Sequence, residues 1–331
     1  MSLINNMKKI HIFATGGTIC SAGKPGETSI YDTFECSVND MLRESLHIEE
    51  LAEISGEQIC NCLSDNITFC EWIKIADRIE ELSLRGIDGF VITHGTNTLE
   101  ECAFFLNLVV KTKKPVVITG AMRPFTANSA DGAQNLYQAV ALAANSHAYG
   151  QGVLVAFADA IFHGRDIQKI NCYRTDAFSE KDFGCMGNIV DNRVYLNNQS
   201  CYPHTVETEF ETSLLKKGIP RVPIIYFCAD MDVAVLDALY KEAQGFVIAG
   251  AGFGAVSTLW EEKIKKYCAD GFPVVRTSRV ANGIVEQNDY DEKLGTIAGK
   301  DLNPQKARIL LLLALSKKYT RKQMIDVFQR Y

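Results

Sequence analysis

Four short stretches of the 331-residue chain set hydroxyl, amide and amine groups directly behind apolar runs. The first, Ala14-Thr15-Gly16-Gly17-Thr18-Ile19, places two hydroxyls around a glycine pair that can turn tightly and let the backbone approach a ligand. The second, Thr93-His94-Gly95-Thr96-Asn97-Thr98-Leu99-Glu100-Glu101, is a glycine turn that feeds a helix. Thr98 reads as its cap, and the two carboxylates suit the positive end of its dipole. Gly120-Ala121-Met122-Arg123-Pro124 and His163-Gly164-Arg165-Asp166-Ile167-Gln168-Lys169 follow two further runs. For one loop alone, a threonine is more simply a cap or turn hydroxyl. Four loops in equivalent positions offer hydroxyls, backbone amides and a lysine to one crevice.

The elements that must position them are legible as short Val- and Ile-rich runs at 10–14, 90–93, 116–119, 153–157, 224–227, 246–249 and 274–275, each read as a buried strand. Between them lie helical spacings such as Trp72, Ile75, Ala76, Ile79 and Leu82, which share one helix face. Strands alternating with helices imply a parallel α/β sheet covered on both faces, with ligands beyond the carboxyl ends of the strands. The alternation lapses in a polar stretch and restarts at Val222. The expected organisation is α/β with two domains: a larger, mostly parallel one over 5–197, a linker over 198–219, and a smaller parallel α/β domain over 220–331.

Composition narrows the function classes. Hydrophobic residues are 47% and charged residues 22% of the chain, as in an ordinary folded domain. Lys plus Arg number 34 against 40 Asp plus Glu, a net charge of −6, so no nucleic-acid footprint is expected. The longest apolar stretch, Ile309 to Leu315, is too short for a membrane span, and nothing after Lys8 and Lys9 reads as a secretory leader. Eleven cysteines without a repeated CxxC spacing point to free thiols and a cytoplasmic location, with a periplasmic one if a leader has been removed. Cys60, Cys62 and Cys70 lack a fourth ligand at a familiar spacing, so no metal is expected, nor any cofactor. A dinucleotide turn would need a third glycine after Gly16 and Gly17, where Ile19, Cys20 and Ser21 stand instead. His94 and His163 read as structural, Arg123 as a tie between loops, and Trp72 as core.

With these residues in view the chain resembles the bacterial L-asparaginases, particularly the type II branch. The resemblance rests on Thr15-Gly16-Gly17-Thr18-Ile19, the 94–101 segment, Gly120-Ala121-Met122-Arg123-Pro124, Ser129-Ala130-Asp131-Gly132 and Leu302-Asn303-Pro304-Gln305-Lys306-Ala307-Arg308, in order along nearly the whole chain. It implies amide hydrolysis of L-asparagine with release of ammonia, leaves L-glutamine open as a second substrate, and implies a homotetramer with sites at subunit interfaces. Carried over by position, Thr18 is the nucleophile, Tyr31 sits on a lid over it, and Thr96 with Lys169 forms a second hydroxyl–ammonium group. Gly17, Ser64, Asp65, Asn97 and Ala121 line the substrate, and Asp289 is the acidic residue lent by the partner subunit. A threonine hydroxyl is a weak nucleophile, and a lysine whose charge is weakened by desolvation can help move its proton. Backbone amides near Thr96 and Ala121 would hold the oxyanion.

Three positions depart from the family pattern. Asp65 stands where Gln or Glu is usual, Asn97 where Asp is usual, and Ala255 where relatives often carry Asn or Ser. The family aspartate at position 97 binds the substrate α-ammonium, so Asn97 removes a charge that Asp65 can restore. Two other readings of Asn97 stand beside this one: an introduced Asp-to-Asn substitution, or a natural member with impaired turnover that binds amino-acid amides. A third possibility for the whole chain is a related amidase whose substrate lacks the α-ammonium.

Overall fold

The computed structural model describes residues 7–24, 26–29, 33–34, 40, 47–180, 182 and 184–331; Tyr31 lies outside these. The chain divides into two units, Met1–Glu209 and Phe210–Tyr331.

The strands of the first unit are β1 (Lys9–Gly16), β2 (Ser21–Ala22), β3 (Thr33–Phe34), β4 (Glu53–Cys62), β5 (Gly89–Thr93), β6 (Val116–Thr119), β7 (Val153–Phe157), β8 (Ala160–His163), β9 (Ile167–Lys169), β10 (Phe178–Glu180), β11 (Gly187–Val190) and β12 (Arg193–Leu196). Helices of this unit among the described residues include α1 (Phe69–Ser83), α2 (Leu99–Val109) and α3 (Gly132–Ala144). Eight strands form one sheet in the order β12-β11-β8-β7-β6-β5-β1-β4. The pairs from β4 to β7 are parallel. Beyond β7 the sheet continues antiparallel through β8, β11 and β12, an extension without intervening helices.

The apolar runs are buried on both faces, as helices on either side of a parallel sheet require. Ile10, Ile12, Ala14, Val91 and Val117 join Leu136, Ala139 and Val140 of α3 in one core. Phe13 alternates to the other face, where its ring stacks on Phe90 at 6.1 Å. Helix α1 begins where the Thr68 side chain accepts the Cys70 N–H (3.2 Å) and Glu71 accepts the Thr68 N–H (2.8 Å). Its buried stripe is Phe69, Trp72, Ile75, Ala76 and Ile79, the spacing seen in the sequence. The polar stretch near 198–219 holds 3₁₀ turns at Thr205–Glu207 and Thr212–Leu214. Lys111 Nζ donates to the carbonyls of Thr205 (2.9 Å) and Thr208 (2.8 Å), which takes the place of a regular hydrogen-bond ladder there.

The second unit contains β13 (Ile224–Tyr226), β14 (Phe246–Gly250), β15 (Val274–Ser278) and β16 (Ile297–Ala298), with α4 (Ala234–Tyr240), α5 (Thr258–Ala269), α6 (Asp289–Leu294), α7 (Pro304–Ser316) and α8 (Arg321–Arg330). The four strands pair in chain order, all parallel. Phe246 and Ile248 pack with Trp260, Ile264 and Tyr267 of α5. The Leu302–Arg308 motif is the start of α7: the Asn303 side chain accepts the Lys306 N–H at 3.0 Å and Pro304 opens the helix. Among the described residues no helix is long and apolar enough to cross a membrane.

Candidate active site

The chain leaves β1 toward β4 and leaves β5 toward β6, so the turns behind β1 and β5 part in opposite directions. This switch point opens a crevice at the carboxyl ends of the strands. Thr18 begins a 3₁₀ turn (Thr18–Cys20) behind β1 and is buried. Thr96 is buried in the turn behind β5, and Ser64 is buried in the turn Ser64–Asn66 behind β4. Two glycines let these turns touch. A Cβ on Gly17, whose φ is +81°, would lie 2.6 Å from the Gly95 Cα, and one on Gly95 would lie 2.8 Å from Ser64 Cβ. The Gly17 N–H is held by the Cys62 carbonyl at 3.0 Å, and the Thr98 hydroxyl donates to the Ser64 carbonyl at 3.0 Å. Thr98 does occupy the cap position of α2, but its hydroxyl is spent on this inter-turn bond and does not cap the helix.

A continuous polar chain crosses the crevice. Lys169, last residue of β9, donates from Nζ to Thr96 Oγ1 (2.9 Å) and to Asn97 Oδ1 (2.8 Å). The Asn97 amide then donates from Nδ2 to Asp65 Oδ1 at 3.0 Å. The carboxamide is thereby oriented, its acceptor toward the cation and its donor toward the carboxylate. Lys169 is brought here by its backbone, whose N–H is held by Glu100 Oε2 at 2.6 Å on the first turn of α2. Burial pushes the Lys169 ammonium below its usual range, opposed by Cys172, Asp65 and Glu100.

The surrounding turns are braced by groups that the sequence singled out for other reasons or not at all. Ala121 is buried, and its loop is held by Asp131, which accepts the N–H groups of Met122 and Arg123, both at 2.9 Å. Asn135 donates to the Gly120 carbonyl at 3.0 Å. The position of Asp131 directly before a helix, within Ser129-Ala130-Asp131-Gly132, was the available signal; nothing local marked Asn135. Arg123 donates to the Ser129 carbonyl at 2.9 Å, a tie within its loop. His94 is structural: Nδ1 donates to the Gly95 carbonyl (2.8 Å) and Nε2 accepts from the Trp72 indole (3.1 Å). Full burial drives its imidazole down to about 4, so it is neutral throughout the physiological range. Trp72 is core, as read, and in addition orients this histidine.

The structure therefore brings Gly17, Thr18, Ser64, Asp65, Thr96 and Asn97 into adjoining turns with Lys169 bonded across them. Tyr31 lies outside the described residues. Asp289 belongs to the second unit, exposed at the first position of α6. Two residues on, Asp291 is wholly buried and accepts Arg276 at 2.8 and 2.6 Å. Among the described residues no group of three or more His, Cys, Asp or Glu is placed to hold a metal ion.

Comparison with known proteins gives matches across both units. The family model described as "Asparaginase, N-terminal" matches residues 9–202, and that described as "Glutaminase/Asparaginase C-terminal domain" matches residues 221–328. The chain is 42% identical to L-asparaginase 2 of Bacillus subtilis, over 98% of this chain and 87% of that one. It is 39% identical to a glutaminase-asparaginase of Acinetobacter glutaminasificans, over 97% of this chain and 98% of that one. The crystal structure of a probable cytoplasmic L-asparaginase from Campylobacter jejuni superposes with a TM-score of 0.93 at 42% identity, covering 98% of this chain and 100% of that one.

Proposed function

We propose that this chain, which belongs to the asparaginase family, hydrolyses the side-chain amide of L-asparagine to aspartate and ammonia, with L-glutamine as the candidate second substrate. The observation that carries the reading is Lys169 Nζ bridging Thr96 Oγ1 and Asn97 Oδ1 beside the turn that holds Thr18. An amine of lowered basicity next to threonine hydroxyls is suited to moving the proton of a weak nucleophile.

In this reading Thr18 Oγ attacks the amide carbon, and backbone N–H groups at Thr96 and Ala121 stabilise the oxyanion, a contribution of about 3 kcal/mol for a well-placed donor. Collapse expels ammonia and leaves an ester on Thr18, which water then hydrolyses. Tyr31, outside the described residues, is the candidate that the resemblance assigns to a lid over the nucleophile. Gly17 and Ser64 shape the floor of the site. Asp65, exposed and with Oδ2 accepting no hydrogen bond among the described residues, supplies the negative charge for the substrate ammonium, and Asn97 relays it to Lys169. The functional assembly is a homotetramer in which Asp289 of one subunit serves the site of another, and the location is cytoplasmic, in keeping with eleven cysteines. The domains over 5–197 and 220–331 act as its two folding units.

Ammonia release from L-asparagine by the purified chain, beside Thr18→Ala and Asn97→Asp, tests the reading. Turnover in the parent, loss in Thr18→Ala and little change in Asn97→Asp are expected. A parent that releases no ammonia, or a Thr18→Ala variant as active as the parent, overturns it.

A further inference from the structure

Cys60 and Cys62 lie two residues apart near the end of β4, so their side chains leave the same face of the strand. Their sulfurs are 3.8 Å apart, within contact. Both are free thiols, neither fully buried, on the edge strand of the eight-stranded sheet. The pair sits directly behind the threonine turn. Cys60 Sγ donates to the Thr15 carbonyl at 3.4 Å, and the Cys62 carbonyl holds the Gly17 N–H at 3.0 Å. Here β1 and β4 also slip register: Ala14 faces Gln58, but Gly16 faces Cys62, so four residues of β4 span two of β1. A bulged strand end of this kind can change its twist without disturbing the regular ladder before it.

We propose that Cys60 and Cys62 are a dithiol modification site, closed to an intrachain disulfide by exchange with a small-molecule disulfide, and that closure displaces the Thr15–Thr18 turn. The Cys62 thiolate attacks one sulfur of the small disulfide, forming a mixed disulfide and expelling one thiolate, which takes up a proton. Cys60 then loses its proton to water and attacks the Cys62 sulfur, forming the Cys60–Cys62 bond and expelling the second thiol. The dithiol is oxidised by two electrons and the small disulfide is reduced by two. Burial and the neighbouring Cys62 push the Cys60 thiol up to about 12, so the first attack falls to Cys62, and once Cys62 is held in the mixed disulfide its charge no longer opposes ionisation of Cys60. Closure draws the sulfurs from 3.8 Å to about 2.05 Å. It removes the S–H donor from the Thr15 carbonyl and turns the backbone of Cys62, the residue that anchors Gly17. A disulfide spanning two residues of a strand is strained and so readily reduced, which makes the change reversible.

The test treats the full chain with glutathione disulfide and maps its cysteines by alkylation and mass spectrometry, with deuterium exchange over the Thr15–Thr18 segment and amide hydrolysis read in parallel. The expected result is that the peptide carrying Cys60 and Cys62 loses two hydrogens without retaining glutathione, and exchange in the threonine turn rises. Amide hydrolysis falls about tenfold or more and returns with dithiothreitol. Cys60→Ser, which keeps a hydroxyl for Thr15, should hold glutathione on Cys62, remain unclosed and show parental activity before treatment. The proposal is overturned if both thiols alkylate fully after treatment that oxidises other cysteines. It is equally overturned if the bond closes with exchange in the turn unchanged. Mapping and exchange do not depend on the substrate, so absence of asparagine hydrolysis would count against the proposed activity and leave these two readouts intact.

Discussion

Asn97 accepts a hydrogen bond from Lys169 at one end of its carboxamide and donates one to Asp65 at the other, so a neutral side chain stands between a cation and a carboxylate. In the proposed reading Asp65 carries the charge that the family places at position 97, and that charge favours the Lys169 ammonium. The sign of the resulting pH effect can be worked out. Burial lowers the Lys169 pKa, and the Asp65 charge opposes that lowering. Asp65→Asn removes the opposition, so the Lys169 pKa moves further below its ordinary value and the limb of kcat/KM that Lys169 sets moves to lower pH. The same variant should raise KM for L-asparagine about tenfold, the consequence of losing one charge-assisted contact to the ammonium. Steady-state kinetics across pH check both; an unmoved limb with an unchanged KM would remove Asp65 from the site.

At the scale of elements, the site is a stack of turns held apart by no side chain. Gly17 lies on Gly95 and Gly95 on Ser64, and each contact leaves less room than a Cβ requires. Gly17→Ala adds a methyl 2.6 Å from the Gly95 Cα at a φ of +81°, against backbone that cannot swing aside. Urea denaturation should show a loss on the order of 2 kcal/mol, and kcat/KM should fall about a hundredfold because the nucleophile's turn is displaced. A variant with parental stability and turnover would mean that the turns are not in register with the chemistry. Legibility at this scale followed burial. The fully apolar runs of β1, β5, β6 and β7 were visible, and so was the stripe of α1. The edge strand β4, Glu53–Cys62, was not: it alternates exposed and half-buried residues and includes Gly56, so no apolar run marks it. The antiparallel β8, β11 and β12 did not stand out either: as long as β6 at four residues each, they mix polar residues or glycine with the apolar ones and form no Val- and Ile-rich run.

At the scale of the whole molecule, the proposed function rests on assembly. Each unit has its own core and its own sheet, mostly parallel in the first and wholly parallel in the second, and the acidic residue proposed for the site, Asp289, lies in the second unit on a short helix. The helix is anchored by the Asp291–Arg276 pair, whose aspartate also accepts the Thr296 hydroxyl at 2.7 Å. A site completed by a neighbouring subunit requires the oligomer for turnover. Sedimentation should therefore give four chains per particle, with activity lost on dilution to monomers. A fully active monomer would exclude a shared site.

The sequence by itself determined the class of fold and which turns follow the strands, because burial on both faces of a sheet and glycine turns behind strands are written in consecutive residues; that Thr18, Thr96 and Lys169 are the candidates within those turns is what the family resemblance implies. Tertiary structure alone decided that Asn97 faces Lys169 with its oxygen, that Thr98 bonds to Ser64 in place of its own helix, that Glu100 holds the Lys169 backbone, and that two thiols touch behind the threonine turn. Residue 65 comes from the turn behind β4, 97 and 100 from the turn behind β5 and the helix it feeds, and 169 from a separate short strand. Distances of 3 Å between them are set by where the sheet ends and how closely the turns approach, and no stretch of local sequence carries that information.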